Sequence, residues 1–307
     1  MAAYIRGKLL STIIVLFGVS LLSFLILHLV PGDPVQVMSG QSGASASDME
    51  KLRHQLGLDR PIYTQYVDFI TNALRGDLGR SIISRQPVSR MVLDQLPPTI
   101  RLTVAGMGLA IVLGIGLGIV AAVRPHSLLD SSIMIVATLG VAVPSFWFAL
   151  LLIYAFSVHF HWFPAAGGQG LKPLVLPSIT LGFSAAAVIA RLTRSSMLEV
   201  MHQDYIGTAR AKGLRERSVI YRHGLKNALI PVITVIGLQF GALLSGAVIV
   251  ETVFARQGIG RLAIDAILNK DYPLVQGTVL VTACAYVLVN LVIDLLYVVL
   301  DPRMRHG

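Results

Sequence analysis

The stretch best suited to chemistry is Asp204-Tyr205-Ile206-Gly207-Thr208-Ala209-Arg210-Ala211-Lys212, followed by Gly213 and Arg215. Its residue types suit binding rather than bond-making. Asp204 is a candidate N-cap, since a short carboxylate accepts from the free amides of a first turn. Gly213 is placed to end the helix as a left-handed residue just past its last turn. A second helical run goes from Glu216 toward Leu225. A helix–Gly–helix elbow carrying Arg210, Lys212 and Arg215 suits two partners, anionic lipid or a docking protein. Composition does not separate them.

Elsewhere the signals for catalysis are weak. The eight histidines include no H-E-x-x-H pair, and His159-Phe160-His161 reads as an interfacial cluster with Trp162 and Phe163. Gly40-Gln41-Ser42-Gly43 has a nucleophile-like spacing but lies in a polar run, and is read as coincidence. No G-x-x-x-x-G-K-[ST] occurs, so no P-loop holds ATP on this chain. Gly114-Ile115-Gly116-Leu117-Gly118 follows no strand and sits inside an apolar run, which points to helix packing. Asp294 is the one formal charge inside an apolar stretch, with Asn290 four residues before it and Tyr297 three after. An intramembrane carboxylate costs roughly 2.5–3.5 kcal/mol on insertion scales, so it must face protein or water. It is read as a structural anchor, with a substrate or proton pathway as the rival. Gln239 is a further polar residue in an apolar stretch.

These residues are carried by a chain of 307 residues, 54% hydrophobic and 13% charged. A soluble domain has about 25% charged residues. The composition excludes an ordinary soluble enzyme, a disordered chain and, with Cys284 as the sole cysteine, a disulfide scaffold. Six apolar stretches, Leu9–Val30, Leu102–Val123, Ser131–Val158, Pro173–Ala190, Asn227–Val250 and Tyr272–Leu300, run 18 to 29 residues. About 20 residues of helix cross the hydrocarbon, so an all-α protein of six transmembrane helices is expected, forming one domain over 1–307. The first stretch is too long, and has the wrong flanks, for a cleaved signal peptide.

Basic residues set the orientation. One side carries 13, counting Arg6, Lys8, Arg124, eight in the 191–226 loop, Arg303 and Arg305. The other carries 5 once the 68-residue segment Pro31–Pro98 is set aside, because long loops cross regardless of charge. Both termini and the 191–226 loop are thus expected in the cytoplasm. The net charge of +9 is then a topology signal and not a nucleic-acid footprint. Within Pro31–Pro98, Gln41–Ser47 is a short flexible run, and Ile62, Tyr63, Tyr66, Phe69 and Ile70 recur at helical spacing, predicting a small external helix. Gly106, Ala110, Gly114, Gly118 and Ala122 form a small-residue ladder that admits a close neighbour; Gly237, Gly241 and Ser245 form a shorter one. Pro144 predicts a kink in the third span.

At the elbow the sequence resembles the inner-membrane permease subunits of ABC importers, in the dipeptide/oligopeptide/nickel family. Only Ala209, Gly213 and Leu225 match the general loop pattern of such permeases. Asp204-Tyr205, Thr208–Gly213, His223, Leu225–Ala228 and Ile230-Pro231 fit the form typical of the peptide branch. Further matches are Pro31-Gly32-Asp33-Pro34, Leu56-Gly57-Leu58-Asp59-Arg60-Pro61, Gly76-Asp77-Leu78-Gly79 with Ser81, and Gly237-Leu238-Gln239-Phe240-Gly241. Glu251-Thr252-Val253-Phe254, Gly258-Ile259-Gly260-Arg261, Asp271-Tyr272-Pro273, Asp294, Tyr297 and Asp301-Pro302-Arg303 complete the set; Gln257 stands where the family often has proline. The resemblance implies a B-type permease in the type I importer architecture. It implies a second permease subunit, two ATPase subunits that bind ATP and Mg, and an external substrate-binding protein. The chain itself would hold no cofactor or metal and contact lipid and no nucleic acid. The elbow would be the coupling helix, with Asp204, Tyr205, Thr208, Ala209, Arg210, Lys212, Gly213 and Arg215 at the ATPase contact. A secondary transporter and a membrane-embedded enzyme are the rivals. The first would be expected to show inverted repeats, discontinuous helices or more intramembrane charges, and one Asp with six spans argues against it; the second would need a nucleophile–base pair or metal ligands at membrane depth, which the sequence does not offer.

Overall fold

The computed structural model describes residues 2–29, 49–50, 54, 59–167 and 170–300, and the side chains of all these except 2–6, 8–10, 26–29 and 294–300. Pro31-Gly32-Asp33-Pro34, Gly40–Ser47, Leu56-Gly57-Leu58 and Asp301-Pro302-Arg303 lie outside the described residues, as do the side chains of Asp294 and Tyr297. The elements are helices: α1 (Ala2–Leu29), α2 (Ile62–Leu74), α3 (Val88–Val123), α4 (Leu128–Ala142) and α5 (Ser145–Leu152), which runs on as π-helical turns over Ile153–His159. Then come α6 (Lys172–Met201), α7 (Asp204–Ala211), α8 (Leu225–Val253), α9 (Ile259–Leu268) and α10 (Tyr272–Leu300). Among the described residues the sole β pairing is an isolated bridge, Arg80 with Pro87. In hydrocarbon a helix satisfies its own backbone donors and acceptors, which is why apolar runs of this length fold this way.

Within the described residues each of the six apolar stretches falls on helix, the third with a break at Val143-Pro144. By length and composition, four helices can cross a membrane: α3, α6, α10, and α8 with the turns leading into it. The bent pair α4–α5 makes a fifth. In α1 the apolar run with described side chains, Ser11–Leu25, is shorter than a full span.

Three boundaries differ from the sequence expectation. The helix of the second span begins at Val88 and not at Leu102, with Val88 and Val92 buried at helical spacing in its added turns. The third span is two helices bent by 111° at Pro144. Val143 before it is extended (ψ 125°), as a residue preceding proline must be, so the kink is a complete break. The fourth span continues eleven residues beyond Ala190, so that Arg191–Met201 is helix and not loop. Thr193, Ser196 and Met197 are buried at helical spacing there, and charge marks where a membrane ends, not where a helix does.

The chain forms two compact units, one of 1–98 with 257–288 and one of 99–256 with 289–307. In the first, α2 packs on α1. Tyr66 meets Phe17 and Phe24 edge-on, Phe69 stacks on Phe24, and the Ser20 and Tyr66 hydroxyls are 2.9 Å apart. The expected helix at 62–70 is therefore present, and its aromatic stripe is what docks it. Val88, Val92, Ile259, Ala266, Leu274 and Val275 make a second core there. Ser81 donates to the Asp271 carboxylate at 2.5 Å, and the Ile82 amide donates to its other oxygen at 3.1 Å. Two motifs 190 positions apart in sequence are thus one buried pin.

In the second unit the small-residue ladder lies against α6. A Cβ added at Gly114 would stand 2.7 Å from Ile189 Cβ, and one at Gly118 would stand 2.5 Å from Thr193 Cβ and 2.8 Å from the Ala190 carbonyl. No side chain fits there, so the ladder is a packing device. Leu102, Met107, Ala110, Leu176, Leu181, Ile189, Val232 and Val250 belong to the main core. Gly237 and Gly241 of the shorter ladder are buried on α8.

Candidate functional site

The elbow joins the end of α6 to the start of α8. Only His202 and Gln203 separate α6 from α7, and hydrogen bonds run across them: His202 N to Glu199 O, Gln203 N to Val200 O and Ile206 N to Gln203 O. The N-cap of α7 is Gln203, and Asp204 is its first residue, so Asp204 places charge at the positive end of the helix dipole without making a cap bond.

Gly213 adopts φ +75°. Its amide donates to the Arg210 carbonyl at 2.9 Å, and the Leu214 amide reaches back to the Ala209 carbonyl at 3.4 Å. With Lys212 as C-cap, this is the double closure of a Schellman turn. It turns the chain sharply into Arg215, the N-cap of the turn Glu216–Ser218, which leads through π-helical turns at Val219–Gly224 into α8.

The two arms of the elbow are held together at three places. Ile206 and Ala209 pack with Val219 and Met201 in a small core. On the outside, Arg210 donates to both oxygens of Glu216, at 2.8 and 3.3 Å. The bond to the Glu216 carboxylate raises the Arg210 guanidinium above its already high ordinary value. Tyr205 accepts through its hydroxyl from the Asn227 amide at 2.8 Å, tying α7 to the first turn of α8.

These contacts sort the expected residues. Asp204, Tyr205, Thr208, Lys212 and Arg215 are exposed, and Thr208 donates to the Asp204 carbonyl. Arg210 is exposed but engaged with Glu216. The spacing of Tyr205, Ala209 and Lys212, at i, i+4 and i+7, predicts one shared face, but Ala209 is not on the outward face with the other two. It is 6% exposed and belongs to the elbow's own core, because the return arm covers the side on which Ile206 and Ala209 lie. The outward stripe is instead Asp204, Tyr205, Gly207, Thr208, Ala211 and Lys212. Its middle residues are small and its ends polar, the shape that enters a groove closely. Gln239 and Asn290 are half-buried on α8 and α10.

Besides the Ser81–Asp271 pin and the elbow's ties, sequence reasoning missed three buried polar contacts. Arg194 of α6 grips Asp130 of α4 with two bonds, of 2.5 and 2.7 Å. Thr99 donates to the fully buried Glu251 at 2.6 Å. Arg256 donates to the Pro173 carbonyl at 3.5 Å; that carbonyl lacks its usual helical donor because residue 177 is proline. Asp294 is therefore not the sole charge on these helices. One signal was present in sequence: Ser127-x-x-Asp130 ahead of an apolar run is a helix-start pattern, and Ser127 does accept from the Asp130 amide. Nothing in sequence pointed to Arg194 as the partner.

Comparison with known proteins bears on family and fold. Residues 114–306 match the family described as "Binding-protein-dependent transport system inner membrane component", and residues 1–103 match its N-terminal companion. The glutathione transport system permease protein GsiC of Escherichia coli is 44% identical over 306 residues, with 100% of each chain covered. The protein of that name in Shigella flexneri is 43% identical over the same length. Among solved structures, a MetNI methionine ABC transporter chain in an inward-facing conformation aligns with a TM-score of 0.59 and 19% identity, over 69% of this chain and 96% of that one. An amino acid ABC transporter chain aligns at 0.52 and 17%, over 70% and 94%. At these identities the structural likeness speaks for the fold alone.

Proposed function

Because the chain belongs to the inner-membrane component family of binding-protein-dependent transport systems, and is a multi-pass permease subunit of an ABC importer, we propose that it forms, with a second permease, the pathway for small peptides. Glutathione is the first candidate, on the full-length likeness to permeases named for its transport. The family is one of transport permeases and not of enzymes. ATP and Mg act on two partner ATPases, and an external binding protein delivers the solute. Both termini and the elbow face the cytoplasm.

The observation that carries the coupling role is the elbow's construction. A short helix with a small, outward, exposed face is locked by a Schellman turn, an internal core and the Arg210–Glu216 pair between two long helices. A stiff piece in that position transmits displacement into α6 and α8, as alternating access requires.

The test is uptake into proteoliposomes holding this chain, its second permease and its two ATPases, with the binding protein outside and ATP inside. Labelled glutathione and a labelled dipeptide are offered separately and in competition. Accumulation of glutathione that needs both ATP and the binding protein supports the reading. Accumulation of neither, in an assembled and ATP-hydrolysing complex, refutes the substrate class. ATP-independent accumulation refutes the importer mechanism.

A further inference from the structure

The Asp130–Arg194 pair joins the bent span to the helix that carries the elbow. The Asp130 side chain is 4% exposed and Arg194 is 23% exposed. Arg194 Nε donates to Oδ1 and Nη2 to Oδ2, a fork on a fork, and the His126 amide donates to Oδ2 at 3.0 Å. The carboxylate is therefore held from three donors, and the first turn of α4 is fixed to α6 in both position and rotation.

This fixing lies close to the elbow. Arg194 stands seven residues before Met201, about 10 Å along the helix. Met201 packs both in the elbow's core and with Met197, Ile220 and Ala228, so the end of α6 and the elbow are one packed piece. Farther along the same interface, a Cβ added at Gly140 would meet Ala187 Cβ at 2.9 Å. Helix α4 thus lies along α6 from Asp130 to Gly140, and the chain breaks by 111° at Pro144, four residues later. Among the described residues the ion pair is the one charged contact of that interface. The other buried residues of α4, Ile133, Ala137 and Gly140, are apolar, and apolar contact is non-directional, whereas the two-pronged ionic bond fixes geometry. Removing one partner of such a pair strands the other charge, which is strongly destabilising.

We propose that Asp130 and Arg194 are positioning residues for energy coupling: they clamp α4 to α6, so that displacement of the elbow carries both helices and bending is confined to the break at Pro144. The inference rests on the importer reading. It assigns to a pair outside the elbow the task of widening the elbow's push from one helix to two.

The complete importer is compared with two variants, the double neutral Asp130→Asn with Arg194→Gln, and Arg194→Lys. The first removes both charges without stranding one. The second keeps charge balance and loses the planar fork. Two quantities are read: the amount of assembled complex, and the solute accumulated per ATP hydrolysed. The expected result is assembly of both, continued ATP hydrolysis, and a ratio that falls about fivefold or more in the double variant and less in Arg194→Lys. A wild-type ratio in the assembled double variant overturns the clamp, and so does failure of both variants to assemble, which makes the pair a structural brace only. A wild-type complex without ATP-driven uptake sinks the importer reading and this inference with it, and is told apart by that control.

Discussion

Replacing Gly213 isolates backbone conformation from packing at the elbow. Its φ of +75° lies where an L residue is strained, at about 1–2 kcal/mol. An ideal Cβ built there meets nothing within 4 Å, so no steric contact adds to the cost. The whole effect of Gly213→Ala is then the left-handed penalty, which raises the opening equilibrium of the turn roughly 5- to 30-fold. Gly213→Asn should cost less, since asparagine visits this region readily, and Gly213→Val should cost more, since a β-branched side chain narrows its choices further. The assay is amide hydrogen exchange on the purified complex, read at Gly213 and Leu214, whose amides close the turn on the Arg210 and Ala209 carbonyls. Recovery of the ATPase subunits is measured on the same preparations. Protection should fall in the order Gly, Asn, Ala, Val, and ATPase recovery should follow it. Unchanged exchange in Gly213→Ala, or Asn as damaging as Val, would refute the reasoning.

Three further outcomes follow from the packing and the topology. Gly118→Ala should lower the yield of folded protein by forcing apart α3 and α6, an overpacking cost of about 1–3 kcal/mol, whereas Gly116→Ala, with open space around its added Cβ, should be neutral in thermal melting. Ala211→Trp, on the outward stripe, should leave the permease folded and detach the ATPases in pull-down, while Ala209→Trp should disrupt the elbow itself and show as protease sensitivity between α6 and α8; identical behaviour of the two would contradict the assignment of faces. In a Cys284→Ala background, an impermeant thiol reagent on intact cells should label Ser42→Cys and spare Ser218→Cys until the membrane is opened, and the reverse pattern inverts the topology.

Much was determined by sequence alone, for a physical reason. Hydrocarbon demands an uninterrupted apolar run and internal backbone bonding, so the helices over Tyr272–Leu300 and Asn227–Val250 are written in composition. Gly213 could be placed as a left-handed residue because a helix end of that kind depends on one position's backbone. The aromatic spacing at 62–70 foretold a helix by the same local logic. The ladder from Gly106 to Ala122 announced a close neighbour, though not which helix it would be.

What tertiary structure decided is pairing. Ser81 with Asp271, Asp130 with Arg194, and Thr99 with Glu251 join residues tens to hundreds of positions apart, and nothing local to either member states its partner. Ala209 shows the limit most plainly. Its spacing allows the same face as Tyr205 and Lys212, yet the return arm from Glu216 covers it, and only the fold says which side of a short helix is already taken. Helix periodicity gives the relative directions of side chains along an axis; the rotation of that axis against its neighbours is set by contacts that do not exist until the chain has folded.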